Sequence, residues 1–143
     1  MNILISACLI GVNCRYDGNS KLIKELDLLQ QRYHLIPICP EQLGGLTTPR
    51  EPSEIKDGKV ISKSGIDVTK QFQKGADEVL ALAKQFQCTI AILKERSPSC
   101  GSNQRYDGSF SGTLQPGDGL TAALLKQHNI KVIGESEISS LTS

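Results

Sequence analysis

A chain of 143 residues carries one core's worth of sequence, and a formal net charge of +1 leaves no basic surplus with which to coat a phosphate backbone. Aromatic residues make up only 4% and tryptophan is absent, which argues against a base-stacking platform for single strands. With 38% apolar and 22% charged residues the composition is that of a globular protein, so we expect one domain over residues 1–143, with nucleic acid an improbable partner.

The opening MNILISAC has the look of a lipoprotein cleavage box at Cys8. It lacks a basic lead, and its apolar stretch is shorter than the roughly 7–15 residues of a secretory segment. No apolar run approaches the roughly 20 residues that a membrane span requires. Residues 2–5 therefore read as a buried strand and the chain as a cytoplasmic protein. Five cysteines, an odd number in a reducing compartment, point to thiols or metal ligands rather than a disulfide framework.

A loop over residues 6–19 follows, broken by Gly11, Asn13 and Gly18. Ser20 is placed to cap a helix over about residues 21–32, with Leu22, Ile23, Leu26 and Leu29 on one face. Residues 34–38 form a second strand, stopped by Cys39-Pro40. Five prolines and glycines make residues 39–54 a long ordered loop, a feature that is usually functional. Within it, residues 47–54 hold Arg50 between acidic neighbours, as an internal ion pair would require.

Residues 55–68 carry turns at Asp57-Gly58 and Ser64-Gly65 and read as a small hairpin. Thr69 caps the clearest helix, to about Gln85, with Phe72, Ala76, Val79, Leu80 and Ala83 as its inner stripe. A third strand covers residues 89–93 and a second long loop residues 94–117. Asp118 caps a helix to about Gln127, residues 130–133 form a fourth strand, and the tail is polar. This alternation predicts an α/β fold: a mainly parallel, Rossmann-like sheet flanked by helices, plus the small hairpin. One four-residue echo stands out, Arg15-Tyr16-Asp17-Gly18 against Arg105-Tyr106-Asp107-Gly108. It is either two similar turns or two walls of one site.

Ligands of open α/β sheets sit beyond the carboxyl ends of the strands. Cys8, Cys39 and Cys100 each follow a strand, so three stretches bring a thiol to one edge; Cys14 lies in the first of these loops. Cys88 precedes its strand and belongs at the opposite edge, as a small buried hydrophobe. No Cys-x-x-Cys, P-loop, Gly-x-Gly-x-x-Gly or His-Glu-x-x-His is present. His34 and His128 both fall away from the thiol edge, so nucleophilic catalysis of the Cys–His or Ser–His–Asp kind lacks its base. Glu41 stands two residues after Cys39, and Ser97 three before Cys100. Three thiolates suit zinc with water in the fourth position, or a [4Fe–4S] cube with one iron lacking a protein ligand. A metal-binding module without catalysis and a thiol redox protein cycling a Cys8–Cys14 disulfide remain alternatives.

Three segments narrow the choice: Ser6-Ala7-Cys8-Leu9-Ile10-Gly11-Val12-Asn13-Cys14-Arg15-Tyr16-Asp17-Gly18, Cys39-Pro40-Glu41-Gln42-Leu43-Gly44-Gly45-Leu46 with Pro49-Arg50, and Lys94-Glu95-Arg96-Ser97-Pro98-Ser99-Cys100-Gly101. Together they resemble the thiouracil desulfidase family, formerly a domain of unknown function, over nearly the whole chain. The resemblance implies a [4Fe–4S] cluster, open to loss in air, held by Cys8, Cys39 and Cys100, with catalytic roles at Glu41 and Ser97. It also implies a non-redox removal of sulfur from a thiolated uracil. The absence of the added domain found in tRNA-acting relatives favours a small free thiobase as the partner.

Overall fold

Strand β1 (Asn2–Ser6) is apolar on both faces, and the two faces feed different cores: Ile3 and Ile5 pack on one side, Leu4 on the other. The computed structural model describes residues 1–142. A 3-10 turn, Ala7–Ile10, follows β1 and is closed by Gly11 in the left-handed region at φ 97°. Helix α1 spans only Leu26–Arg32, shorter than expected. The reason lies in the backbone. Lys21 N donates to Cys8 O at 2.8 Å and Ile23 N to Leu9 O at 3.0 Å, so residues 21–23 are held against the turn and Ser20 caps no helix. Strand β2 (His34–Ile38) falls where predicted, and the loop after it begins with a single helical turn, α2 (Pro40–Leu43). Proline suits that first position because its missing N–H would be unpaired there anyway.

The expected hairpin is β3 (Ser53–Lys56) and β4 (Lys59–Ser62), joined by Asp57 and Gly58 at φ 52° and 76°, the signature of a type I′ turn. Helix α3 (Thr69–Gln85) buries the predicted stripe, but Thr69 is its first residue and not its cap. The Thr69 N–H is satisfied by Asp67 Oδ1 at 2.9 Å, and Thr69 Oγ1 accepts from Val60 N at 2.9 Å. After β5 (Ile90–Leu93) the long loop contains a second hairpin that sequence did not reveal, β6 (Gln104–Tyr106) and β7 (Leu114–Pro116). Helix α4 (Leu120–Gln127) is flanked by Gly119 and not capped by Asp118, whose carboxylate instead takes Asn103 N and Lys126 Nζ. Strand β8 (Lys131–Gly134) is followed by a 3-10 turn and a short helix, α5 (Ser139–Thr142). Nor is the tail wholly polar in effect, since Ile138 is fully buried beneath the sheet.

All neighbours in the main sheet run parallel, in the order β2-β1-β5-β8. The chain builds outward from β1 to one side and then returns to its other side. The carboxyl ends of β1 and β5 therefore flank the topological switch point, where open α/β folds bind ligands. The face that α3 and α4 cover holds Leu4, Val79, Ala91, Leu93 and Leu125; the opposite face holds Ile3, Ile5, Leu29, Ile92 and Ile138. A third, smaller cluster of Ile55, Val60, Val68 and Phe72 seats the first hairpin on the start of α3. Cys88 is buried at the amino end of β5, as expected, away from the other thiols. Among the described residues no helix is long and apolar enough to cross a membrane.

Helix α2 is pinned to α3 by two glycines. A Cβ on Gly75 would run into the Pro40 carbonyl oxygen, and one on Gly44 into that of Gln71. Ordinarily Gly→Ala in a helix interior gains about 1 kcal/mol. Here the obstruction is backbone, which cannot rotate away, and overpacking costs about 1–3 kcal/mol. Gly75→Ala is therefore expected to lower stability in a denaturant titration. A stabilised variant would show that α2 is free to move.

Candidate active site

Each of the three predicted thiols is delivered by a different strand end. Cys8 sits in the turn after β1, Cys39 immediately precedes α2 after β2, and Cys100 lies in the loop after β5. All three, together with Cys14, line a cavity of about 600 Å³ at the switch point. The Cys100 loop is held there by α4: Leu120 N donates to Pro98 O at 3.0 Å and Thr121 N to Ser99 O at 2.9 Å, which satisfies the first helical N–H groups. Ser6 Oγ ties the β1 and β5 ends together by accepting from Lys94 N at 2.9 Å while lying 3.5 Å from Cys100 Sγ.

Glu41 occupies the first turn of α2 and reaches the same cavity. Its carboxylate accepts from Arg50 Nε at 2.9 Å on one oxygen and from Ser99 Oγ at 2.9 Å on the other. The expected ion pair of Arg50 thus exists, but its partner is Glu41 and not an acid within residues 47–54. Of those acids, Glu51 accepts from Ser64 and Glu54 from backbone N–H groups further along the chain. Arg50 also donates to the carbonyls of Thr47 and Cys14 at 3.1 and 3.0 Å, and so clamps the first and second thiol loops around Glu41.

Ser97 is brought into the cavity wall, and it also organises its loop: Ser97 Oγ accepts from the N–H of Ser99 and of Cys100, both at 3.1 Å. Its contact with Glu41 is indirect. Ser97 Oγ lies 2.9 Å from Ser99 Oγ. A hydroxyl has one proton, and Ser99 gives its own to Glu41, so Ser97 donates to Ser99. The result is a hydroxyl chain from Ser97 through Ser99 to Glu41. The family resemblance implies a role for Ser97; Ser99, in the same short loop, is the hydroxyl that touches Glu41, and spacing alone does not tell the two apart.

The thiols differ in acidity for identifiable reasons. Cys8 is pushed up to about 11 and Cys100 to about 12, in both cases by burial first. Cys39 is pulled down to about 6, chiefly by the neighbouring Cys14 side chain. The α2 N–H of Gln42 and the Arg50 guanidinium act in the same direction. Cys14, the other member of that pair, is correspondingly raised, by Cys39 first and by burial second.

Among the described residues no three His, Cys, Asp or Glu side chains close on one point as ligands of a single ion would. A cubane draws one thiolate to each of several irons, so its ligands stand apart around a void. Three separate loops, each presenting an unpaired thiol to a cavity of this size, fit that requirement. The family model described as 2-thiouracil desulfurase matches residues 3–137. The chain belongs to that family. A curated relative, the uncharacterized protein YbbK of Bacillus subtilis (strain 168), is 44% identical over 149 aligned positions, covering 97% of this chain and 99% of its own. A solved structure, the [4Fe-4S]-dependent thiouracil desulfidase TudS, superposes with a TM-score of 0.93 at 44% identity, covering 98% of this chain and 94% of that one. The desulfurase family fold and this α/β architecture are therefore the same.

Proposed function

We propose that this protein is a [4Fe–4S]-dependent desulfidase that hydrolyses the carbon–sulfur double bond of thiolated uracil, or of a closely related small thiobase, and releases sulfide. The observation that carries the reading is the convergence of Cys8, Cys39, Cys100 and Glu41 on one cavity at the switch point, in a member of the 2-thiouracil desulfurase family. Cys8, Cys39 and Cys100 are the residues that would hold the cluster, leaving Cys14 beside it and unligated. When bound, such a cluster supplies a Lewis-acidic iron without a protein thiolate, which a soft sulfur atom prefers.

The remaining chemistry belongs to the chain. Glu41 accepts from a guanidinium and a hydroxyl, which fix its position, and takes a proton from the water that adds to the thiocarbonyl carbon. Its proton then passes to the departing sulfur, which restores the carboxylate, and the Ser97–Ser99 chain, donating toward Glu41, holds that carboxylate in place. Water oxygen replaces sulfur on carbon, the C–S electrons leave with sulfur, and no net redox change occurs. Arg50 and α2 hold the carboxylate still, and burial of the ion pair limits competing water.

The test is anaerobic reconstitution with iron and sulfide, followed by incubation with thiouracil and measurement of uracil and released sulfide. Loaded protein that yields neither product overturns the reading. The hydroxyls separate in the same assay. Ser99→Ala removes a direct contact to Glu41 and is expected to lower turnover about tenfold at unchanged iron content. Ser97→Ala also strips two backbone N–H groups of their acceptor and is expected to lower iron retention as well as rate. Equal, iron-neutral effects of the two would count against the hydroxyl chain.

A further inference from the structure

Six aromatic side chains are all this chain has, and three of them, Tyr16, Tyr106 and Phe110, line the cavity that holds the thiols. Core packing does not explain them. Phe72, a core aromatic, is 1% exposed, whereas Tyr16 is 41% exposed. Two of the three come from the repeated Arg-Tyr-Asp-Gly, and the third follows the second copy by two residues. Both sequence-level readings of that echo hold. Each aspartate closes a turn, Asp17 Oδ1 accepting from Asn19 N at 3.0 Å and Asp107 Oδ1 from Ser109 N at 2.9 Å, and each copy's tyrosine lines the same cavity.

The loop of residues 107–113 joins β6 to β7 and is closed on itself by Asp107 N to Thr113 O at 3.0 Å. Its tie to the first hairpin is a carboxylate. Glu54 of β3 is 8% exposed, and its Oε1 accepts from Gly108 N at 3.0 Å and from Phe110 N at 3.1 Å. Gly108 lies so close to the hairpin that a Cβ would meet Lys56 Cβ at 2.7 Å and Ile55 O at 2.9 Å. Phe110 itself is held at φ 56°, a conformation that a bulky side chain rarely adopts. Strain of this kind persists where surroundings enforce it, and it collects at ligand-binding positions. The two bonds from a buried carboxylate are the enforcement here.

We infer that Glu54 is a positioning residue that latches the 107–113 loop so that Phe110, with Tyr106 and Tyr16, forms an aromatic clasp for the planar ring of the substrate. The inference rests on the desulfidase reading and names the part of that site that selects a heteroaromatic ring. Such a clasp binds ring and product alike, because stacking does not depend on whether sulfur or oxygen occupies the reacting carbon. Its loss raises KM and leaves kcat nearly untouched, the pattern of uniform binding.

The test uses the iron-loaded full chain and three readouts: iron content, KM and kcat with thiouracil, and inhibition by uracil. Phe110→Leu and Glu54→Ala are each expected to raise KM and the uracil inhibition constant about tenfold, with kcat within about twofold and iron unchanged. Glu54→Gln keeps an acceptor oxygen for the loop and is expected to stay near wild type. Because Glu54 acts through Phe110, the double variant Glu54→Ala/Phe110→Leu is expected to be no worse than the weaker single variant. Multiplying effects would place Glu54 on the substrate and overturn the latch. An unchanged KM in Phe110→Leu overturns the clasp while wild-type turnover keeps the desulfidase reading intact. Wild-type protein that carries iron but releases no sulfide overturns both. Should Glu54→Ala fail to fold, Gly108→Ala takes its place: its Cβ would force the loop off Lys56 and Ile55 and is expected to raise KM in the same way, and an unchanged KM overturns the latch.

Discussion

Replacing Glu41 by glutamine is expected to lower thiouracil turnover by about 10²-fold or more while the cluster stays bound, since general acid–base help is typically worth about 10²–10⁴-fold. Glutamine keeps the length of the side chain and an oxygen that still accepts from Arg50 Nε, now 2.9 Å from the carboxylate. What it loses is the titratable group. Its amide NH₂ also turns toward Ser99, which then accepts instead of donating, so the hydroxyl chain from Ser97 reverses. Alanine is a poorer probe. It would strand a guanidinium whose side chain is only 8% exposed, and breaking a buried pair costs about 3–5 kcal/mol. Loss of activity would then report disorder of α2 as much as chemistry. The measurement is single-turnover desulfidation with iron matched between variants. A near-normal rate for Glu41→Gln removes Glu41 from the proton path and passes that role to another group of these loops, such as Glu95.

The expectations that held were those set by strong periodicity or by topology. The stripe of α3 repeats over seventeen residues, and β2 falls within the bounds read from sequence. The edge argument for Cys8, Cys39 and Cys100 needed only that strands run parallel and that each thiol follow one. Strand order was beyond it, because order depends on which side of β1 each crossover lands, and local pattern does not encode that. The second hairpin escaped because β6 and β7 are three residues each, too short for alternation to register. Helix α1 lost its first turn to a competitor invisible in a helical window: carbonyls of Cys8 and Leu9, paired with residues 21 and 23. Arg50 and Ser99 show the same limit at the site. Their partner, Glu41, is 9 and 58 positions away, so no local motif ties them to it.

Single substitution of Cys8, Cys39 or Cys100 by alanine is expected to abolish retention of a four-iron cluster, whereas Cys88→Ala should keep full iron and sulfide content. The difference follows from place. The first three occupy the carboxyl ends of β1, β2 and β5 around one cavity; Cys88 lies beyond α3, its N–H spent on Ala83 O at 2.8 Å, and its thiol buried among apolar side chains. Losing that sulfur opens a small void worth on the order of 1 kcal/mol, a stability effect without a metal effect. Cys14 is the discriminating case, because it lines the same cavity and its carbonyl lies 3.8 Å from the Cys39 sulfur. Cys14→Ser keeps the backbone carbonyl that Arg50 uses at 3.0 Å and that the Cys39 thiol faces at 3.8 Å, so the Glu41 clamp should survive. If three thiolates hold the cluster and one iron stays open, this variant retains iron and activity. A fourth thiolate would close the iron that the substrate sulfur needs. Iron analysis with Mössbauer spectroscopy on the five variants checks this: four cysteine sulfurs in the wild type, falling to three in Cys14→Ser, would remove the open site and the proposed chemistry with it. Circular dichroism completes the argument: the core on both faces of the sheet is built mainly from aliphatic side chains, so the cluster-free variants should keep the wild-type spectrum.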